Sequence, residues 1–222
     1  MGIEAEKPTG IEAETRAAAR AAAALVEDGM RVGLGTGSTV RYLLPALAER
    51  HLSLRCVATS VATEVLAREL GLSIEPFEAL DALDIAIDGA DQVAPDGWVI
   101  KGGGGAHTRE KIVALAASRF VIIASSDKAG PALGPPVPLE LLSFGLPATL
   151  RALGDARVRP GAPPSPDGGV IADHYERFED PAPFAARLKA IPGLVEHGLF
   201  PPSMVSDVLI ARGETVEHRH VR

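Results

Sequence analysis

A chain of 222 residues with 46% apolar and 23% charged residues can bury a full hydrophobic core as one large domain, or as one large and one small. Its net charge of −7 argues against sequence-independent nucleic-acid binding, and one Trp with two Tyr leaves little surface for stacking bases. One cysteine excludes an intramolecular disulfide framework, and no apolar stretch is long enough to span a bilayer.

The opening "MGIEAEKPTG" carries acids and no apolar segment, which does not read as a signal peptide, so a cytoplasmic location is expected. Thr9 and Glu12 have capping-box spacing, and an Ala-rich helix over Ala13–Asp28 should follow, closed by Gly29. "MRVGLG" predicts a strand running into a glycine turn. A helix over Thr39–Arg50 should come next, with Pro45 inside it as a possible kink. Ser53–Thr59 reads as a strand with Cys56 buried in it, "VATEVLAREL" as a helix ending at Gly71, and "LSIEP" as a third strand. "LDIAID" (Leu83–Asp88) has the continuous apolar interior of a strand covered on both faces. After a turn at Pro95–Gly97, "WVIK" leads into four consecutive glycines. A helix over Thr108–Ser118 and the strand "FVIIA" complete an alternation that predicts a mainly parallel sheet with helices on both faces.

Near Lys128 the composition turns rich in Pro and Gly, marking a boundary. Short strands ("VPLELL", "DARVRP", "GGVIADH") then mix with helices over Ala148–Leu153 and Ala182–Ala190, and Arg159–Gly169 reads as an exposed proline-rich loop. The expected organisation is a Rossmann-like α/β domain over 1–130, completed by 201–222 with the strand "DVLIARG", and a smaller α+β subdomain over 131–200.

Four segments could carry chemistry. "GLGTGSTV" (Gly33–Val40) lies between a strand and a helix. Its glycines, the N–H groups of the helix start, and the Ser38 and Thr39 hydroxyls suit an anion. It lacks the third glycine and the distant acid of a dinucleotide fingerprint, and a Walker lysine; a plain strand-to-helix turn competes. "DGAD" (Asp88–Asp91) ends an apolar strand, where open sheets bind ligands, although Asp-Gly alone is also a common turn. "KGGGG" (Lys101–Gly105) joins a strand to a helix rather than two domains, so its N–H groups can form a nest, with Glu110 in the following first turn. "SSDK" puts Lys128 just past another strand. Arg109 and Lys111 read as solvated helix residues, salt-bridged or free, and His107 could touch a ligand or cap the helix. The other histidines, His218 and His220 among them, show no metal-ligand spacing, and no metal is expected.

Taken together, "GTGST" (Gly35–Thr39), "DGAD", "KGGG" with "TREK" (Thr108–Lys111) and the lysine of "SSDK" resemble ribose-5-phosphate isomerase of the A type. "VPLEL" (Val137–Leu141) and "IPGLVEHGLF" (Ile191–Phe200) extend the resemblance over nearly the whole chain. It implies a Rossmann-like domain with a ferredoxin-like subdomain. The implied reaction interconverts ribose 5-phosphate and ribulose 5-phosphate through an enediol(ate), without a cofactor. Carried over by motif, Glu110 is the general base, with Asp88, Asp91 and Lys101 as further catalytic groups. Substrate contacts fall on Thr36, Gly37, Ser38, Thr39, Asp88, Gly89, Ala90, Asp91, Lys101, Gly102, Gly103, Gly104 and Lys128. Gln92, Gly105-Ala106-His107, "SPDGG" and "PPSMVSDV" depart from the family pattern. A small phosphorylated sugar is the expected partner, with no nucleic acid and no membrane, in a homodimer or homotetramer. A sugar-phosphate sensor is the alternative from another class, although no spare basic helix is available to read DNA; an isomerase of another phosphosugar is a third reading.

Overall fold

The structure is a computed structural model and describes residues 10–80 and 82–222. In chain order the elements are α1 (Ile11–Ala23), β1 (Arg31–Leu34), α2 (Val40–Ala48), β2 (Arg55–Ala58), α3 (Val61–Glu69), β3 (Leu83–Gly89), β4 (Gln92–Val93) and β5 (Val99–Ile100). Then come α4 (His107–Ala116), β6 (Ala117–Ser125), β7 (Val137–Leu141), α5 (Leu146–Leu153), β8 (Ala156–Val158), β9 (Val170–His174) and α6 (Pro181–Lys189). β10 (Leu194–His197), β11 (Leu199–Phe200), β12 (Asp207–Arg212) and β13 (Thr215–His220) close the chain.

The main sheet has six strands in the order β13-β12-β6-β3-β1-β2. All neighbours are parallel except the β12–β13 hairpin. Its central strands carry continuous apolar runs (Ile85–Ile87, Phe120–Ala124, Val208–Ala211) because both faces are covered there, and the period of two divides them between two cores. Ile85 and Ile87, Val121 and Ile123, Leu209 and Ala211 point to the side of α1 and α2. Ala86, Phe120, Ile122, Ala124, Val208 and Ile210 point to the other, against Val113 and Ala114 of α4. On the first side Ala18, Ala19, Ala22 and Ala23 of α1 are buried; a methyl-sized face lets that helix lie close to the sheet.

β7, β9, β8 and β10 form a separate antiparallel sheet in the order β10-β7-β9-β8. With α5 and α6 the chain order is βαββαβ, the ferredoxin-like arrangement. Leu139, Leu141, Leu153, Phe184 and Leu188 belong to a third core, which also takes in Ile100 and Leu199. Those two residues belong to a three-stranded sheet, β11-β5-β4, that links the larger and smaller sheets.

Several expectations need correction. α1 ends at Ala23 rather than Asp28, and Thr9 lies outside the described residues, so the capping box is not described. "LSIEP" makes one isolated bridge, Ile74 to Cys56, not a strand. Cys56 itself is buried, and burial pushes its thiol up to about 12. α2 does contain Pro45 and holds its nine residues by burying Val40, Leu43, Leu44 and Leu47. β13 was not foreseen: its sequence, TVEHRH, lacks an apolar face because the strand lies at an exposed edge. Among the described residues no helix is long and apolar enough to cross a membrane.

Candidate active site

The C-terminal ends of β1, β3 and β6 lie side by side, so the turns after them share one rim, as open parallel sheets favour for ligands. The tetraglycine loop reaches the same place by another route. It follows β5 of the linking sheet, where Lys101 N–H donates to Gly198 O at 2.9 Å. One cleft results. Thr36, Gly37, Ser38, Thr39, Gly89, Ala90, Asp91, Lys101, Gly102, Gly103, Gly104, Glu110 and Lys128 all line it, and Asp88 is buried against Lys101 at its floor.

At that floor Lys101 Nζ lies 2.9 Å from Asp88 Oδ2 and 3.2 Å from Glu110 Oε2, and donates to Gly89 O at 2.6 Å. All three ionisable side chains are about 3% exposed. Asp88 is anchored further: its Oδ1 accepts the Thr36 N–H at 3.1 Å and the Gly89 N–H at 2.7 Å. Glu110 is not. Its Oε2 meets the Lys101 ammonium as an ion pair without hydrogen-bond alignment, and has no hydrogen-bond partner among the described residues. Burial, and then repulsion from Asp88, push the Glu110 carboxyl up to about 8, with Lys101 opposing. Burial also raises Asp88 against the pull of Lys101 and the two N–H groups. For Lys101, burial alone would lower the ammonium, but Asp88 and Glu110 outweigh it and hold the group above the ordinary lysine range.

Two glycines here are required by contact. A Cβ on Gly35 would stand 1.9 Å from Asp88 Cγ, so only glycine lets the turn after β1 cross that carboxylate. Gly102 has φ +112°, and a Cβ there would meet His107 Nδ1 and Pro138 Cβ, each at 2.7 Å. Nearer the mouth, exposed Asp91 accepts the Gly103 N–H at 2.7 Å. Thr36 Oγ1 and Thr59 Oγ1 are 2.8 Å apart, and Thr39 occupies the N-cap of α2 without a side-chain capping bond. Lys128 is partly exposed, 3.1 Å from Asp127. Anionic groups therefore meet N–H groups, hydroxyls and a cation at the mouth, and a carboxyl–ammonium–carboxyl cluster below.

The neighbouring helix residues separate. Lys111, expected in solvent, is buried: its Nζ contacts Glu196 Oε1 at 2.9 Å and donates to His197 O at 2.6 Å, above the Phe200 ring. Arg109 is on the surface, paired with Asp167 at 2.7 Å. His107 is fully buried; its Nε2 approaches Glu196 O at 3.3 Å, its Nδ1 has no hydrogen-bond partner among the described residues, and burial lowers its ring to about 4. It neither caps α4, whose N-cap is Ala106, nor lines the cleft. Gln92 ties down another loop, exchanging hydrogen bonds with Gly134 at 2.8 and 2.9 Å.

Sequence reasoning missed Arg159. Its Nη1 donates to Gly102 O and Gly103 O at 3.1 and 2.9 Å, while its other two nitrogens fork onto Asp173. With the carbonyls of the glycine loop drawn outward to Arg159, the Gly103 N–H is left facing Asp91. The loop carrying Arg159 is largely exposed, as expected, but it is pinned by buried Ser165, which accepts the Asp167 and Gly169 N–H groups. Nothing in "RPGAPPSPDGG" signals contacts more than fifty residues away.

The family model for ribose 5-phosphate isomerase A (phosphoriboisomerase A) matches residues 55–215. The chain belongs to the ribose 5-phosphate isomerase A family. Ribose-5-phosphate isomerase A of Nitrobacter hamburgensis is 43% identical, the match covering 86% of this chain and 90% of that protein. The crystal structure of ribose 5 phosphate isomerase A from Neisseria gonorrhoeae aligns with a TM-score of 0.91 at 29% identity, covering 97% of this chain and all of that one. A D-ribose-5-phosphate isomerase solved in complex with phospho-erythronic acid aligns at 0.90 and 32% identity, covering 96% and 100%. The mainly parallel sheet with its antiparallel companion is thus the fold of ribose 5-phosphate isomerase A.

Proposed function

We propose that this chain interconverts D-ribose 5-phosphate and D-ribulose 5-phosphate through an enediol(ate), with Glu110 as the general base. The observation that carries this reading is a buried carboxyl in the cleft whose Oε2 has no hydrogen-bond partner among the described residues and which burial raises to about 8. A base must be able to accept and release a proton near the working pH, and a carboxylate in its usual range is too weak to do so readily. Asp88, fixed by two N–H donors and Lys101, is suited to meeting a substrate hydroxyl in place rather than to carrying a proton from one carbon to the next.

In the forward direction Glu110 takes the C2 proton of the open-chain aldose. Negative charge then grows on the C1 oxygen, where Lys101 and the glycine-loop N–H groups are preorganised to stabilise it. The same carboxyl returns the proton to C1, leaving the ketone at C2. Asp88 and Asp91 serve the hydroxyl protons and ring opening. The Thr36–Thr39 turn and Lys128 hold the phosphate, so that binding far from the reacting carbons orients them. The relative solved with phospho-erythronic acid, a phosphorylated sugar acid, supports a phosphosugar ligand. A cytoplasmic enzyme acting as a homo-oligomer fits this reading.

The test is ketose formation from ribose 5-phosphate by wild type and Glu110→Gln. The variant should lose about 10²–10⁴-fold in kcat, the usual contribution of a positioned base, with KM nearly unchanged. A near-normal rate would remove Glu110 from the mechanism.

A further inference from the structure

β12 and β13 are antiparallel partners, with Asp207 opposite His220 and Leu209 opposite His218. Side chains alternate across a strand, so His218 and His220 leave the same face as Asp207. Neither the cleft nor its supporting network uses them. Asp207 Oδ1 lies 2.7 Å from His218 Nε2 and 2.8 Å from His220 Nδ1, and the ligand atoms of all three fall within 4.8 Å of one another. The imidazole rings stand 4.4 Å apart. The carboxylate is 3% exposed, whereas His220 is 75% exposed: a fixed floor with an open mouth. The other carboxylate oxygen accepts Arg119 Nε at 2.6 Å.

We propose that Asp207, His218 and His220 form a binding site for one borderline divalent transition-metal ion, Zn²⁺ foremost. Two imidazole nitrogens and one carboxylate oxygen suit Zn²⁺, Ni²⁺ or Cu²⁺, whereas Mg²⁺ and Ca²⁺ call for an all-oxygen shell. His-x-His on a strand supplies two nitrogens on one side, and the cross-strand aspartate supplies the oxygen between them. Arg119 orients the carboxylate through its second oxygen, the work of an outer-shell partner. On binding, the ion takes the place of the imidazole N–H···O contacts, with both rings neutral. Asp207 pairs with Val121 and through it stands level with Ile87, next to Asp88, but it lies two strands away and leaves the face of the sheet opposite to that of Asp88, so the site does not open into the cleft. Its consequence is therefore stability of the terminal hairpin, through preferential binding to the folded chain, and not chemistry on the sugar.

The experiment uses the full chain, stripped with a chelator and titrated with ZnCl₂ by calorimetry near neutral pH, with a thermal melt at each metal concentration. Wild type should show saturable binding of a single ion and a Tm that climbs with Zn²⁺. His220→Ala, an exposed change, should fold normally and weaken binding by at least about tenfold, the scale seen even for outer-shell partners. His218→Ala with His220→Ala should abolish it. As a readout independent of any variant, sub-stoichiometric Cu²⁺ should broaden the ring proton signals of His218 and His220 before those of other histidines. No saturable binding in wild type, unchanged affinity in His220→Ala, or earlier broadening of another histidine would overturn the proposal.

Discussion

Two buried polar clusters flank α4, supplied by consecutive residues. On one side Glu110 joins Asp88 and Lys101 in the cleft; on the other Lys111 joins Glu196 and His197. Both are carboxylate–ammonium groupings taken out of water, where an unsatisfied charge is expensive. In the second cluster the carboxylate is fully partnered, although burial still lowers the Lys111 ammonium to about 8. Glu196 accepts Lys111 at 2.9 Å, Lys189 at 2.7 Å and the His197 N–H at 2.9 Å. Burial alone would raise the Glu196 carboxyl, but these partners hold it down at about 2. The first cluster has two carboxyls for one ammonium and leaves Glu110 short of partners, which lifts it to about 8. The same ingredients give a brace where partners suffice and, where they do not, a raised carboxyl suited to the proton transfer proposed for Glu110.

After Glu110→Gln, the largest effect should come from Lys101→Met, which keeps the bulk and removes the cation between Asp88 and Glu110. Loss of a preorganised charge stabiliser should lower kcat by about 10²–10³-fold. Breaking a buried pair should also cost about 3–5 kcal/mol in urea unfolding. A folded variant with near-normal kcat would show that the ammonium serves only to hold the carboxyls together.

Next in size is the pH dependence, and here the two clusters should behave oppositely. Between the unfolded carboxyl pKa and about 8, folded Glu110 binds more protons than the unfolded chain does. Its contribution to stability is therefore fully present at low pH and is lost as pH rises through about 8. Glu196 is the reverse: its contribution is present above the unfolded value and is lost as pH falls towards 2. Unfolding of wild type and Glu110→Gln across neutral pH should diverge, wild type losing ground as pH rises. Over the same range kcat/KM should rise, since only the carboxylate can take the proton. Parallel stability curves would mean that Glu110 titrates in its usual range.

How much of this was legible depends on how far each contact reaches along the chain. The central strands could be read because burial on both faces writes itself into consecutive positions, as in the "IAI" of "LDIAID" and in "FVIIA". The cleft segments could be read because glycine, serine and aspartate at strand ends have few other uses in combination. Lys111 could not: a lysine within a helix looks solvated, and its partners stand 85 and 86 residues away. β13 was hidden by the polarity of an edge strand, and so was the meeting of His218 and His220 on Asp207. Two histidines spaced by one residue mean little until the strand's alternation and its partner are known.

A smaller effect is expected from Lys111→Met. Glu196 keeps Lys189 and the His197 N–H, so it is not stranded as Asp88 and Glu110 would be. Stability should fall by about 1–3 kcal/mol, the cost of leaving a buried polar group short of a partner. Turnover per folded molecule should change little. If kcat collapsed while the fold held, the two faces of α4 would not be independent, and Glu110 would owe its position to the brace behind it.

The smallest effect, and the sharpest question, concerns Arg159. It belongs to the loop after β8 and touches neither the reacting groups nor Lys101, yet its guanidinium forks onto Asp173 and reaches two carbonyls of the glycine loop. A single ammonium cannot make both connections, so Arg159→Lys keeps the charge and loses the fork. If those carbonyls must be turned outward for the Gly103 N–H to face the cleft, kcat should drop by less than about 10²-fold, the scale of a small misplacement of reacting groups. KM and Tm should barely move. A fall in Tm with kcat intact would make Arg159 a strut of the smaller sheet alone. A fall in kcat restored by no other change would mean that the antiparallel sheet helps shape a site whose reacting groups it does not supply.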